Sequence, residues 1–206
     1  VDKYASFVLE QLLTVSCNRA LGSNQVIVEN DEPPSKKKKT ETETNTTYPE
    51  EHVKFCHNFT IKVSKYLLNN LEDFVWDTSA NSLLRTSLKS LGGVLSSPCE
   101  RARQNLFKES SSDSTENTPK PSNKQNMILA YREVPDEFKE IVKEHANRLS
   151  KWPQFADMPY QTLTSGLLQM LVFALANSCK KSTKEIVKQL LDESFAPDSW
   201  NDDSVD

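Results

Sequence analysis

The sequence predicts an all-α solenoid of helical repeats interrupted by two disordered inserts, and three observations predict it. The first is a repeat: Asp2–Leu13 (DKYASFVLEQLL), Asp77–Leu88 (DTSANSLLRTSL) and Gln161–Val172 (QTLTSGLLQMLV) are versions of one helix. In each, a small polar residue is followed by a variable one, two aliphatics and a long polar residue. Ser6, Val8, Leu9 and Glu10 thus align with Asn81, Leu83, Leu84 and Arg85, and with Ser165, Leu167, Leu168 and Gln169. The second is spacing. Ser6 and Asn81 lie 75 positions apart, and Asn81 and Ser165 lie 84 apart. Without the aperiodic stretches these intervals fall to roughly 48 and 54, near the ~34–47 residues of one unit in a helical array. The third is periodicity: apolar residues recur at helical spacing in every segment expected to pack, whereas the alternation in Asn24–Asn30 is short and isolated, so no strand is expected.

Lys3 to about Cys17 reads as a helix with Val8, Leu9, Leu12 and Leu13 on one face. Residues 1–23 would close one repeat. Residues 24–50 lose periodicity and carry Pro33-Pro34, the four lysines Lys36, Lys37, Lys38 and Lys39, and a Thr/Glu alternation, the pattern of a disordered insert. The second repeat spans 51–95. Its long first helix carries a broad apolar face of Val53, Phe55, Cys56, Phe59, Ile61, Val63, Tyr66, Leu67, Leu68 and Leu71, and Phe74-Val75-Trp76 connects it to the motif helix. Asp77 is placed to cap that helix, since its carboxylate can accept from free first-turn N–H groups. Gly92-Gly93 supplies the stop.

A second disordered insert, 96–125, centres on the serine-rich run Ser110–Glu116. Residues 126–196 hold the third repeat and the first helix of the next. Pro135–Leu149 presents Phe138, Ile141, Val142, His145 and Leu149 on one face, and Trp152-Pro153 breaks it. A motif helix follows from about Tyr160 to Ser178. The last helix runs from Ser182, with a Ser182–Glu185 capping box, to about Phe195, with Ile186, Val187, Leu190 and Leu191 inward. Residues 197–206 form an acidic tail. The chain begins at Val1 in an apolar-periodic stretch and reads as a fragment.

Composition narrows the function classes. The hydrophobic fraction is 36%, below the globular norm of about 45–50%, as expected when part of a chain does not pack. Four glycines against ten prolines argue against a Gly-rich nucleotide-binding fold. No apolar run approaches the ~20 residues needed to span a bilayer. Cys17, Cys56, Cys99 and Cys179 lack metal-ligand spacing and read as reduced thiols, and His52 and His57 beside Cys56 do not complete a zinc site. No catalytic order, paired carboxylates or phosphate loop is present, so no enzyme, metal or cofactor is expected. The net charge of −4 conceals an uneven distribution. Residues 52–109 carry +3 and 126–190 carry +2, while the last sixteen residues carry −6. Mild basicity of the packed segments is compatible with phosphate binding.

The motif has a mechanical logic. Its two aliphatics face the core, and its first, second and fifth residues share the other face. Stacked along a solenoid, a short and a long polar residue can hold a base edge while the residue between them stacks on it. The segments, above all Leu67–Leu91 (LLNNLEDFVWDTSANSLLRTSLKSL) and Asp2–Leu13, resemble the RNA-facing helices of Pumilio-type (PUF) repeats, and among them the divergent PUF proteins of the nucleolar protein 9 family. The resemblance covers about two-thirds of the chain and omits both inserts. It implies a right-handed solenoid binding preribosomal RNA in the nucleolus during small-subunit biogenesis, with preribosomal proteins as further partners and neither a membrane nor a small-molecule substrate.

Carried onto this chain, the resemblance makes Ser6 and Glu10 a guanine-reading pair with Phe7 as stacker. Ser165 and Gln169 resemble an adenine-type pair, but Gly166 cannot stack. Asn81 and Arg85 match no standard pair, and Ser82 is a poor stacker. Arg85 suits a phosphate or a guanine edge. Shape and backbone contacts are therefore expected to outweigh base reading. Lys36, Lys37, Lys38 and Lys39 read as a nuclear localisation signal, a phosphate tether or a solubilising run. A HEAT- or armadillo-like protein scaffold remains the alternative, because such arrays use the same helix-pair physics.

Overall fold

The computed structural model describes residues 2–22, 26–28, 48–96 and 130–195. The helices are α1 (Lys3–Leu21), α2 (Glu50–Asn69), α3 (Leu71–Phe74), α4 (Thr78–Leu91), α5 (Asp136–Ser150), α6 (Thr162–Ser178) and α7 (Lys180–Glu193), with a 3-10 helix at Phe155–Tyr160. The three motif helices pack side by side, α1 along α4 and α4 along α6. The others form a second layer, with α2 against α1, α5 bridging α2, α4 and α6, and α7 against α5 and α6. This alternation of two helix layers is the architecture of an α-solenoid, in which each unit buries its apolar face against its neighbours.

Local chemistry explains the helix ends. Asp2 Oδ1 accepts from the N–H groups of Tyr4 (3.0 Å) and Ala5 (2.9 Å) and starts α1. Asp77 Oδ1 accepts from the Ala80 N–H at 2.7 Å and starts α4, as expected. That N–H holds the Asp77 carboxyl below its usual range. At the other end of α4, Gly93 takes the left-handed φ of 64°. Gly92 is required for a different reason: a Cβ there would stand 2.5 Å from the Cα of Ala174 on α6.

One continuous core runs through the stack. Leu13, Leu84, Leu88, Leu91, Phe138, Leu149, Leu167 and Leu171 are fully enclosed, each such side chain stabilising the fold by about 1.5–3 kcal/mol relative to exposure. Two polar contacts tie α2 to its neighbours: Ser64 Oγ on α2 lies 2.9 Å from Ser87 Oγ on α4, and Arg148 of α5 donates to the Leu68 carbonyl at 3.1 Å.

Several expectations are corrected. Three short strands do form: β1 (Val26–Val28), β2 (Val94–Ser96) and β3 (Ala130–Arg132). Central β3 pairs antiparallel with both others, Ile27 opposite Tyr131 and Val94 opposite Tyr131. Their partners are remote in sequence, so no hairpin signal announces them. On α1, Leu13 is enclosed but Val8 and Leu12 are exposed, and on α2 Cys56, Leu67 and Leu68 are buried but Phe55 and Tyr66 are exposed. On α7, Ile186 alone is buried, while Val187 and Leu191 face outward. The capping box is absent: α7 starts at Lys180, and Ser182 Oγ instead donates to Cys179 Sγ at 3.3 Å.

Residues 29–47, 97–129 and 196–206 lie outside the described residues. They include most of both inserts, Cys99 and the acidic tail. The lysine run expected as a nuclear localisation signal, Lys36, Lys37, Lys38 and Lys39, lies there in full, and the structure assigns it no position. Among the described residues Cys17, Cys56 and Cys179 are free thiols, and no helix is long and apolar enough to cross a membrane.

Candidate nucleic-acid interface

The packing of α1, α4 and α6 brings the three motif copies into one ladder. The aliphatic pairs of the second and third copies, Leu83 with Leu84 and Leu167 with Leu168, are buried in the core. The long polar residues then line up across the seam as Glu10, Arg85 and Gln169. Glu10 and Arg85 are half-buried and Gln169 is exposed. Phe7 is half exposed, and Ser82, Ser165 and Gly166 are half-buried.

The first residues of two copies behave differently from expectation. Ser6 is buried, and its hydroxyl donates to the Lys3 carbonyl at 2.8 Å. Asn81 is fully enclosed, and its amide donates to the Val75 carbonyl at 2.8 Å. Both turn into the helix seam because a short polar side chain beside a tight interhelical contact is satisfied by nearby backbone. The face open to a ligand is therefore carried mainly by the second and fifth motif residues. Ser165 is intermediate, with a long 3.4 Å contact to the Thr162 carbonyl.

The seam between α4 and α6 is close. Arg85 reaches over Gly166, and its Nη1 lies 3.0 Å from the point a Cβ on that glycine would occupy. Arg85 Nε is enclosed without a hydrogen-bond partner among the described residues, and so is Glu10 Oε1 on the other side of the ladder. One helical turn further along α1 and α4 lies a cleft of about 240 Å³, lined in part by Thr14, Asn18, Thr86, Lys89 and Arg132. It continues the ladder because Thr14 follows Glu10, and Lys89 follows Arg85, at i+4 spacing. Cys17 also lines it, but burial pushes the thiol up to about 12, so it stays protonated and is a poor nucleophile.

The family model described as a NOP9-like PUF repeat domain matches residues 1–206. The chain belongs to this family. No curated protein matches it, and no solved structure does. As a PUF repeat domain it is a member of an RNA-binding repeat family.

Within this PUF domain, Lys89 and Arg132 are cationic residues that the repeat motif does not include. Lys89 can be found in the sequence from its i+4 relation to Arg85. Arg132 follows the second insert and reaches the cleft only because β3 pairs with β2, the Arg132 N–H donating to the Gly93 carbonyl at 2.9 Å. Among the described residues no group of three or more His, Cys, Asp or Glu is placed to hold a metal. His52 Nε2 lies 3.6 Å from Cys56 Sγ and 3.2 Å from Arg19, a small polar contact beside α1.

Proposed function

We propose that this chain binds preribosomal RNA along the ladder formed by α1, α4 and α6, as a non-enzymatic component of small ribosomal subunit biogenesis in the nucleolus. The observation that carries the reading is the alignment of Phe7, Glu10, Ser82, Arg85, Ser165, Gly166 and Gln169 on one face of adjacent helices in a chain of the PUF family. Ser6 and Asn81 lie beneath that face, Ser6 bonded to the backbone of its own first turn and Asn81 to the turn leading into α4. Lys89 and Arg132 extend it with positive charge suited to phosphates. A mixed row of Glu10, Arg85 and Gln169 favours shape and backbone contacts over a one-base-per-repeat code. Preribosomal proteins flanking the RNA are the second class of partner, and Lys36, Lys37, Lys38 and Lys39 would serve nuclear import.

Electrophoretic titration of the 206-residue chain with single-stranded RNA over a salt series tests the reading. Binding should weaken linearly in log–log form as counterions are restored. Arg85→Ala should weaken binding and lower the salt slope by about one contact. Absence of binding even at low salt would favour a protein-interaction scaffold of the HEAT or armadillo kind.

A further inference from the structure

We infer that Arg85 supplies the stacking surface of the slot on the next helix, where Gly166 has no side chain to offer. This rests on the RNA-binding reading and specifies how one position of that face works. Gly166 occupies the stacking position of the third motif copy, yet the space above it is not empty. The Arg85 side chain crosses the α4–α6 seam into it, with Nη1, Cδ and Cζ at 3.0, 3.6 and 3.8 Å from the place of a Cβ on Gly166. Three atoms along the length of the side chain at graded distances show an arginine lying over the glycine rather than touching it with its tip.

The surroundings hold it there. Nε is sunk in the seam without a hydrogen-bond partner among the described residues, so the group is not locked into a competing polar network. With its Nε sunk in the seam, the planar guanidinium is suited to offer its face to a π-system and its terminal nitrogens to a phosphate or base-edge oxygen. Lysine has the charge but not the plane. Glycine at 166 is the condition for this arrangement, because any Cβ there enters the tight contact range with Nη1. The ligand class is an unstacked nucleobase of single-stranded RNA, with little base preference, since every base has a π-face.

The test compares wild type, Arg85→Lys, Arg85→Ala and Gly166→Ala as 206-residue chains. The probe is a labelled single-stranded oligoribonucleotide, used intact and as a series with one abasic site moved along it. Thermal unfolding of each variant checks that the fold is retained. That is expected for Gly166→Ala, because the atom its methyl meets is the far end of a flexible side chain.

Arg85→Lys should lose about ten-fold in affinity with the salt slope unchanged, because charge is kept and stacking is lost. Arg85→Ala should lose at least as much and lower the salt slope as well. Gly166→Ala should lose a factor similar to Arg85→Lys by displacing the guanidinium. The Arg85→Lys loss should vanish for one abasic position, where no base remains to stack. Wild-type affinity in Arg85→Lys or in Gly166→Ala would overturn the inference and leave Arg85 as a point charge. So would a loss that persists at every abasic position. Failure of the wild-type chain to bind the intact RNA at low salt would overturn the RNA-binding reading itself, a result separate from these.

Discussion

Asn177 holds Gly92: its side-chain Nδ2 donates to the Gly92 carbonyl at 2.8 Å, and the same nitrogen donates to the Arg132 carbonyl at 2.9 Å. Both hydrogens of one amide are used. The end of α6 is thereby tied to the stop of α4 and to strand β3, which carries Arg132 into the cleft beside Lys89. Asn177→Ala should leave both carbonyls short of a donor and cost roughly 1–3 kcal/mol. Asn177→Asp should cost more, because a carboxylate donates nothing and faces two carbonyl oxygens. Urea unfolding midpoints should fall in the order wild type, alanine, aspartate; an alanine variant as stable as wild type would show that the tie contributes nothing to the fold.

Asn81 separates support from contact. Its amide is enclosed and donates to the Val75 carbonyl, which fixes the turn leading into α4. Asn81→Ala should lower stability by roughly 1–3 kcal/mol, or about 2–12 °C in Tm for a chain of this size. RNA affinity measured well below that Tm should stay near wild type. A large affinity loss without a stability loss would mean that Asn81 reaches the ligand after all.

His145 makes stability depend on pH. Its Nδ1 lies 2.9 Å from the Ile141 carbonyl, which assigns the proton to Nδ1, and Nε2 is enclosed without a partner among the described residues. Burial lowers its pKa from 6.5 to about 4, with nearby Arg148 adding to the effect and Glu144 opposing it. The unfolded chain therefore takes up a proton near pH 6.5 while the folded chain resists until about pH 4. The stabilising effect of a neutral His145 is complete above pH 6.5 and is lost progressively as the pH falls towards about 4, a total on the order of 3 kcal/mol. His145→Asn keeps a donor for the Ile141 carbonyl but does not titrate. Its unfolding midpoint should show a shallower fall over this window, and an identical pH profile would exclude His145 as the source.

Much of the fold is legible in the sequence because its signals are local. The Asp77 cap, the Gly92-Gly93 stop and the buried face of Phe138, Ile141, Val142 and His145 each depend on residues within a few turns of one another. The sheet is not legible, because β3 finds its partners only after chain segments outside the described residues have been crossed, and its strands are three residues each. The outward positions of Val8 and Leu12 on α1, and of Val187 and Leu191 on α7, also escape a sequence reading. Helical periodicity states which residues share a face, but not whether a neighbouring helix covers it.

The candidate interface divides the same way. The identity and order of the motif residues follow from the chain alone, because a helix places its second and fifth positions together whatever surrounds it. So does the repeat, and hence the solenoid. Packing was needed to turn Ser6 and Asn81 inward and to lay Arg85 over Gly166. The distance between α4 and α6 sets the last of these, and that distance follows from core packing and from a glycine at 92 that lets the end of α4 meet Ala174. Packing also joins Arg132 to Lys89, since backbone pairing between strands far apart in sequence brings them to one cleft.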